Sequence, residues 1–317
     1  MTKKKKIVLV VLLAVIGLPL VLMLAAFAWF RWEGATNGSV MTSGEARKYL
    51  LYVPKSYDRS KPTPLIISFH AAALRPQSEM EISRWNEVAD QLGFIVVYPS
   101  GSDLPRVWPG GTRSLPRDVK YISDLIDKLA GEYNIDPRRI YADGMSNGGG
   151  MSFALSCKLG DRIAAAGAVS SAQTLPWERC DGSKPVPLIV FHGTADRFAP
   201  YHGGASPVAP EPFPDIPEWI ARAAQRNQCK ASPVETRVSP SVRRLSYGDC
   251  AGNADVVFYS VEGGGHTWPG GGPLPEWIVG PTTHEISADR IMWDFFMAHP
   301  LGGAKQAASS QSSALSR

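Results

Sequence analysis

Residues 141–152 read YADGMSNGGGMS, and this stretch decides the fold because it sets Ser146 between glycines at both two-residue offsets. The residues before it (RIYADG, 139–144) favour a strand, and those after it (GGGMSFALSCKLGD, 148–161) favour a helix. In a G-x-S-x-G motif between a strand and a helix, the serine occupies a strained turn that exposes its hydroxyl above the sheet edge. A side chain at either flanking glycine would collide with the neighbouring strand and helix. We therefore predict that Ser146 is a nucleophile and that the stretch is not merely a flexible glycine-rich loop.

The rest of the chain alternates strand-like apolar runs with helical patterns. The predicted strands are YLLYVP (49–54), PLIISFH (64–70), FIVVYP (94–99), RIYADG (139–144), AAAGAVS (164–170), PLIVFHG (187–193) and DVVFYSV (255–261). The predicted helices are SRWNEVADQLG (83–93), VKYISDLIDKLAGEYN (119–134), GGGMSFALSCKLGD (148–161), PEWIARAAQRNQC (217–229) and SADRIMWDFFMAH (287–299). Several strand runs are apolar throughout, which is typical of strands covered on both faces. The alternation predicts an α/β fold, with a mostly parallel central sheet and helices on both of its faces.

The composition indicates a globular protein with a charged leader. The chain has 317 residues, 44% of them hydrophobic and 20% charged, and a formal net charge of +4. Residues 1–33 carry five basic residues and one acidic residue, which accounts for the entire excess. The remainder is formally neutral and does not favour nucleic-acid binding, which needs clustered Lys and Arg. We predict one domain over 34–300, followed by a small, polar and disordered tail over 301–317.

The leader has two interpretations that the sequence leaves open. Residues 7–30 are uncharged and apolar, follow four lysines, and exceed the roughly 20 residues that a helix needs to cross a bilayer. The run also contains Ala26-Phe27-Ala28, which satisfies the small-x-small rule for cleavage of a signal peptide. A membrane anchor and a cleaved signal peptide both place the remainder outside the cytoplasm.

The number and spacing of the cysteines are consistent with a location outside the cytoplasm. Cys157, Cys180, Cys229 and Cys250 form no C-x-x-C pair, so a zinc or redox site is not favoured. In an oxidising compartment an even number of cysteines predicts two disulfides, for which three connectivities exist. Pairing of nearest neighbours, Cys157–Cys180 and Cys229–Cys250, closes two modest loops and is our prediction; buried free thiols are the alternative.

A serine nucleophile needs a base and an acid that orients the base. In chains with this motif the partners follow in the order Asp or Glu, then His. Asp196 comes directly after the strand at 187–193, and His266 follows the strand at 255–261 within a glycine run. We predict Asp196 as the acid and His266 as the base.

The remaining histidines and acids supply the alternatives. His70 and His192 lie at strand ends and are predicted to brace loops. His202 and His284 lie in loops rich in Pro and Gly, and His299 follows the last helix. Asp215 and Glu262 are the alternative acids.

The developing oxyanion needs backbone donors. One is predicted to be the N–H of Asn147, and the other an N–H of the loop after the second predicted strand, from Ala71 or Ala72. Three tryptophans near the predicted rim, Trp108, Trp268 and Trp277, are candidates for a wall that stacks against an aromatic acyl group or a sugar. Packing of loops onto the domain is the alternative for each. No residues show metal-ligand spacing, and we expect neither a metal nor a cofactor.

The chain resembles the secreted polyhydroxybutyrate-depolymerase-like esterases, relatives of feruloyl and acetylxylan esterases in the α/β-hydrolase superfamily. The resemblance rests on five ordered blocks within residues 45–298: WNEVADQLGFIVVYPSG, YNIDPRRIYADGMSNGGGMS, HGTADRFAPYHGG, CAGNADVVFYSVEGGGHTWPGG and ISADRIMWDFF. It implies an α/β-hydrolase fold, a triad of Ser146, Asp196 and His266, and the two disulfides given above. The chain departs from the family pattern at His70-Ala71, where the family usually has His-Gly. This difference matters because the methyl group of alanine restricts the backbone conformation.

The function expected from these features is that of an extracytoplasmic serine esterase acting without a cofactor. Its substrate would be a polyhydroxybutyrate-type oligomer or a small ester, with feruloyl or acetyl groups on plant polysaccharide as the alternative. A catalytically silent surface binding protein on the same scaffold is the alternative from another class. The oligomeric state is left open.

Overall fold

The computed structural model describes residues 36–102, 106–108, 115–172, 175–180, 182–230 and 232–302, with Gly17 and Val21 as isolated positions. All elements below belong to the unit Thr36–Arg317. Apart from Gly17 and Val21, the predicted leader lies outside the described residues, as does the predicted tail beyond Gly302. Within the described ranges, no helix combines the length and the apolar character needed to cross a bilayer.

A ten-stranded sheet forms the centre of the domain. Its strands are β1 (Gly38–Thr42), β2 (Glu45–Tyr52), β3 (Thr63–Phe69), β4 (Ile95–Pro99), β5 (Ile135–Gly144), β6 (Ala165–Val169), β7 (Leu188–Gly193), β10 (Val234–Ser239), β11 (Val242–Tyr247) and β12 (Val256–Val261). Their order in the sheet is β1-β2-β4-β3-β5-β6-β7-β12-β11-β10. Neighbouring strands from β4 to β12 in this order run parallel, while the two strands at each margin pair antiparallel. A separate antiparallel pair consists of β8 (His202–Ser206) and β9 (Ala209–Asp215).

The helices cover the sheet on both faces. They are α1 (Pro76–Ser83), α2 (Trp85–Leu92), α3 (Leu115–Glu132), α4 (Asn147–Lys158), α5 (Ile216–Arg226), α6 (Glu276–Val279) and α7 (Ala288–Ala298). Buried side chains of α3, α4 and α5 share one apolar cluster with Leu65 and Ile67 of β3. Those of α1, α2 and α7 share a second cluster with Ile66, which points the opposite way. Successive residues of a strand face opposite sides, so one apolar run supplies both cores.

The structure confirms the predicted architecture. Each of the seven predicted strands corresponds to one of β2–β7 and β12, and each of the five predicted helices to one of α2–α5 and α7. The sequence analysis missed β1, the pair β8–β9, the margin strands β10 and β11, and helices α1 and α6. Strand β10 is exposed along most of its length, so it lacks the apolar run by which buried strands were recognised.

Both predicted disulfides are confirmed. Cys157 at the end of α4 is bonded to Cys180, and Cys229 is bonded to Cys250. The two bridges use all four cysteines of the chain. The second bridge joins the segment after α5 to the loop before β12, and so fastens the region that leads into the His266 loop.

Candidate active site

The candidate site lies at the topological switch point of the sheet, where successive strands are added first on one side of β3 and then on the other. From β3 the chain passes to β4 on one side, and it then returns to β5 on the other side of β3. Ligands of open α/β sheets bind outside the carboxyl ends of the strands at such a switch point. The loop after β3 and the turn after β5 meet there, and the turns after β6, β7 and β12 follow along the same edge.

Ser146 occupies a strained turn between β5 and α4. Its backbone angles are φ 54° and ψ −121°, a conformation that non-glycine residues rarely adopt. The strain is held by main-chain bonds on both sides, because Met145 donates to Phe69 O at 3.2 Å and Ser146 donates to Val169 O at 2.8 Å. Ser146 as a whole is partly exposed, in contrast to the buried Met145 before it.

The flanking glycines are required by close main-chain approach. A Cβ atom at Gly148 would lie 2.0 Å from Phe69 O, and one at Gly144 would lie 2.5 Å from the same oxygen. Real Cβ atoms do not approach a carbonyl oxygen so closely. The G-x-S-x-G spacing therefore lets the turn and the start of α4 pack directly on the end of β3.

Asp196 and His266 meet at this edge. The Nδ1 of His266 lies 2.8 Å from Oδ2 of Asp196, and the Asp196 side chain is fully buried. The second carboxyl oxygen, Oδ1, accepts the backbone N–H groups of Phe198 at 2.9 Å and Ala199 at 2.8 Å. Three hydrogen bonds thus fix the carboxylate, and the imidazole is oriented with Nδ1 toward it. The ring of Phe198 packs against the imidazole, with centroids 5.2 Å apart.

The segment after β6 connects the nucleophile turn to the histidine loop. The hydroxyl of Ser171 donates to Ser146 O at 2.5 Å, and the hydroxyl of Ser170 donates to Thr267 O at 3.0 Å. The sequence analysis did not identify this serine pair. Its signal was present, because Ser170 is the last residue of the predicted strand at 164–170 and Ser171 directly follows it.

The loop after β3 is braced by a buried neutral histidine. The Nε2 of His70 accepts the backbone N–H of Gly101 at 2.9 Å, so Nδ1 carries the hydrogen and donates to Ala71 O at 2.8 Å. Burial lowers the pKa of His70 to about 4, which keeps the ring uncharged near neutral pH. His70 therefore ties the loop after β3 to the loop after β4, as predicted.

The alanines of this loop have different backbone conformations. Ala73 takes the positive φ of 61°, while Ala71 and Ala72 are not among the residues with positive φ. The methyl group at position 71 thus requires no positive φ. Ala71 is buried and Ala72 is exposed. Ala73 is held by its N–H, which donates to Arg106 O at 2.7 Å.

The side chain of Asn147 locks the first residue of α4. Its Oδ1 accepts the Trp108 N–H at 2.5 Å, and its Nδ2 donates to Trp108 O at 2.7 Å. The backbone N–H of Asn147 belongs to the four that a helix start leaves without intrahelical acceptors. The reciprocal pair with Trp108 therefore fixes this first helical residue beside the serine.

The three candidate tryptophans occupy different environments. Trp108 is 1% exposed, packs edge-on against Phe69, and donates its Nε1–H to His70 O at 3.1 Å. Trp268 is also 1% exposed. Neither ring offers a face at the surface, so both pack loops onto the domain in this conformation. Trp277 is 84% exposed and lies on α6, whose Val279 O accepts the His266 N–H at 2.6 Å.

The alternative acids have other partners. Asp215 accepts the Glu218 N–H as the N-cap of α5 and lies 3.2 Å from Nδ1 of His202. Glu262 is exposed. His192 is buried, donates from Nε2 to Ala199 O at 2.8 Å, and braces the Asp196 turn as predicted. Burial lowers its pKa, and the nearby Asp196 carboxylate opposes that effect.

Within the described ranges, no three His, Cys, Asp or Glu side chains are grouped so that they could hold a metal ion.

Comparisons with known proteins identify relatives among the esterases. Feruloyl esterase B from Piromyces equi is 32% identical over 231 residues, which cover 69% of this chain and 42% of that protein. The bifunctional acetylxylan esterase/xylanase XynS20E from Neocallimastix patriciarum is 25% identical over 230 residues, which cover 71% of this chain and 31% of that protein. The chain thus spans less than half the length of either relative.

A solved structure shares the fold, although no protein-family model matches the chain. The acetyl xylan esterase from Aspergillus awamori superposes with a TM-score of 0.60 at 16% identity, covering 83% of this chain and 99% of that one. With its parallel sheet, its serine turn and these relatives, the chain belongs to the feruloyl esterase-like family of α/β-hydrolase esterases.

Proposed function

We propose that this protein hydrolyses carboxylic esters, with Ser146 as nucleophile, His266 as general base and acid, and Asp196 as the residue that orients the imidazole. The observation that carries the proposal is the 2.8 Å bond between His266 Nδ1 and the fixed Asp196 carboxylate, at the edge where the strained Ser146 turn projects. A carboxylate on Nδ1 holds the neutral imidazole in the tautomer whose Nε2 can accept a proton.

The proposed reaction has two halves. Ser146 Oγ attacks the ester carbonyl and passes its proton to His266 Nε2, which then gives it to the departing alcohol. Water attacks the acyl-serine by the same route, releases the acid and restores the enzyme. The oxyanion of each tetrahedral intermediate would be bound by the Asn147 N–H and by an N–H of the Ala71–Ala72 segment. Loss of one such donor costs about 3–4 kcal/mol in well-studied hydrolases.

Two features support a rigid oxyanion site. The Asn147–Trp108 pair fixes the first donor, and the neutral His70 fixes the loop that supplies the second. Donors that need no reorganisation as charge develops contribute most to this kind of stabilisation. The substitution of alanine for the usual glycine at position 71 does not argue for a silent scaffold, because its backbone is unstrained.

The names of the relatives favour feruloyl or acetyl esters as substrates over polyhydroxybutyrate-type oligomers. The exposed indole of Trp277, on the helix that holds the His266 backbone, is suited to stack against an aromatic acyl group. We therefore place hydroxycinnamoyl esters first and acetyl esters second. Hydrolysis of hydroxybutyrate oligomers stays a prediction. Two disulfides support an extracytoplasmic location.

The test is a hydrolysis panel of p-nitrophenyl acetate, methyl ferulate and hydroxybutyrate oligomers, with labelling by a fluorophosphonate probe. We expect the parent to hydrolyse methyl ferulate and to be labelled, and Ser146→Ala to lose both properties. Ser152→Ala is the matched control, since this buried hydroxyl on the same helix donates to Ala142 O of β5. Failure of the parent to react with the probe would favour the silent binding protein, and retained hydrolysis in Ser146→Ala would exclude the proposed nucleophile.

A further inference from the structure

Two carboxyl groups are buried directly beneath the nucleophile turn. Asp143 on β5 stands three residues before Ser146, and Glu79 stands on α1; both are 0% exposed. The hydroxyl of Ser68, which is also 0% exposed, donates to Asp143 Oδ1 at 2.6 Å and lies 3.4 Å from Glu79 Oε1. Neither the triad nor the oxyanion site uses these groups.

The three residues join the elements that form the active site. Ser68 is the penultimate residue of β3, whose following loop carries Ala71 and Ala72. Glu79 lies on the helix that this loop enters, and Asp143 immediately precedes the Gly144 of the serine turn. The cluster thus links the loop after β3, the helix that this loop enters and the strand that leads into the serine turn.

The surroundings disfavour two negative charges. Oε2 of Glu79 and Oδ2 of Asp143 have no hydrogen bond of good geometry among the described residues. The Trp85 indole N–H lies near Asp143 and lowers the pKa of its carboxyl, but the opposing effect of burial is larger. The titratable groups of neighbouring elements that act on the pair are Tyr98 from β4 and Asp289 from α7, and both are acids. A buried ionised carboxylate without a basic partner is costly, so such groups keep their protons instead.

Burial raises the pKa of Asp143 to about 8 and raises the pKa of Glu79 well above its usual range, where the nearby Asp143 adds to the effect. The pair therefore carries at most one negative charge at neutral pH. A hydroxyl has one hydrogen, so with Ser68 donating to Asp143, a protonated Glu79 can donate to the Ser68 oxygen. This gives a chain of hydrogen bonds that runs from Glu79 on α1 through Ser68 on β3 to Asp143 on β5.

We propose that Glu79 and Asp143 share protons through Ser68, and that they act as positioning residues which hold the loop after β3 against the serine turn. The role in catalysis rests on the function proposed above. When both carboxyl groups are ionised, their negative charges repel each other, which moves α1 away from β5 and displaces the loop that donates to the oxyanion.

Stability measured against pH tests the proton sharing without any substrate. Because the folded state keeps protons that the unfolded chain releases near pH 4, folding stability falls as pH rises from about 4 through about 8. Each proton involved changes the unfolding constant by up to about tenfold per pH unit. We expect Glu79→Gln and Asp143→Asn to flatten this dependence in denaturant titrations between pH 5 and pH 9. Glu81→Gln, an exposed carboxylate on the same helix, should keep the parental slope.

Kinetics test the positioning role. We expect Glu79→Ala to lower kcat by about tenfold or more with KM nearly unchanged, because an oxyanion donor acts in the transition state. Glu79→Gln, which keeps the shape and a donor for Ser68, should restore kcat at pH 7 and retain it at alkaline pH, where the parent declines.

Two results would overturn the proposal. One is a parental pH slope of stability in both Glu79→Gln and Asp143→Asn; the other is an alkaline activity limb that is the same in Glu79→Gln and Glu81→Gln. If the variants do not fold, the infrared spectrum of the parent decides, since the pair must show a protonated carboxyl band at pH 7. Stability and infrared results do not depend on esterase activity, so a failure here is distinct from a failure of the proposed function.

Discussion

The substitution Asp196→Asn tests the proposed acid with little change in shape. In the parent, Oδ1 accepts the N–H groups of Phe198 at 2.9 Å and Ala199 at 2.8 Å, and Oδ2 faces His266 Nδ1 at 2.8 Å. An asparagine must keep its oxygen on the two backbone donors, because its NH₂ group there would oppose two N–H groups. Its nitrogen then faces the imidazole.

The consequence is the wrong tautomer of the base. With an amide N–H directed at it, Nδ1 of His266 must act as acceptor, and the ring hydrogen moves to Nε2. That nitrogen can no longer accept the proton of Ser146. The same replacement in well-studied triads lowers kcat by about 10⁴-fold, or about 5 kcal/mol of transition-state stabilisation. We expect a loss of this order here, since the two backbone bonds hold the amide in the unfavourable orientation.

The assay is kcat/KM on p-nitrophenyl acetate at pH 7, with thermal unfolding of each variant to verify the fold. Asp215→Asn is the control. This residue caps α5 and lies beside His202, and asparagine caps helices as well as aspartate does. It should retain activity within about twofold of the parent. A loss below tenfold in Asp196→Asn, or a large loss in Asp215→Asn, would refute the assignment of the acid.

Three other substitutions test the turn, the bridges and the substrate wall. Gly148→Ala should abolish activity and destabilise the fold by about 1–3 kcal/mol in a denaturant titration, because its Cβ would lie 2.0 Å from a β3 carbonyl oxygen. The control is Gly131→Ala on α3, where an added Cβ would have nothing within 4 Å, and this variant should be as stable as the parent or more stable. The double variant Cys229→Ser, Cys250→Ser should lose about 3 kcal/mol of unfolding free energy, as expected for a 21-residue separation, and chemical reduction should then have a smaller further effect than in the parent. Trp277→Ala should raise KM for methyl ferulate by about 3- to 10-fold and leave KM for p-nitrophenyl acetate little changed; equal effects on both esters would argue against aromatic stacking.

Local patterns predicted most of the sheet and the order of the proposed triad. Strands β3, β4, β7 and β12 are buried along their whole length, so their apolar runs are visible in one dimension. Asp196 and His266 were identified because each lies in the loop after such a run, in the order expected after the serine motif, and because parallel strands end at the same sheet edge. The disulfides were predicted by proximity along the chain, since each bridge closes a short loop.

The burial and orientation of the tryptophan side chains could not be predicted from local patterns. Trp108, Trp268 and Trp277 all lie in segments rich in Pro and Gly, where neither period 2 nor period 3.6 reports which way a side chain points. Burial of the first two depends on β3 and on the apolar core around α1, α2 and α7, which are distant along the chain. The same holds for Ser170 and Ser171, whose partners lie 97 and 25 residues away.

The sequence by itself determined the chemistry on offer in this protein: a serine between glycines, a later aspartate and a still later histidine, each at the end of an apolar strand. Tertiary structure alone decided which nitrogen faces which oxygen, which indole stays exposed, and that Glu79 and Asp143 share one buried hydroxyl. The physical reason is the separation along the sequence over which each feature is determined. Strands and helices follow from side-chain periodicity within a few residues, whereas hydrogen-bond geometry and burial depend on segments that only the folded sheet brings together.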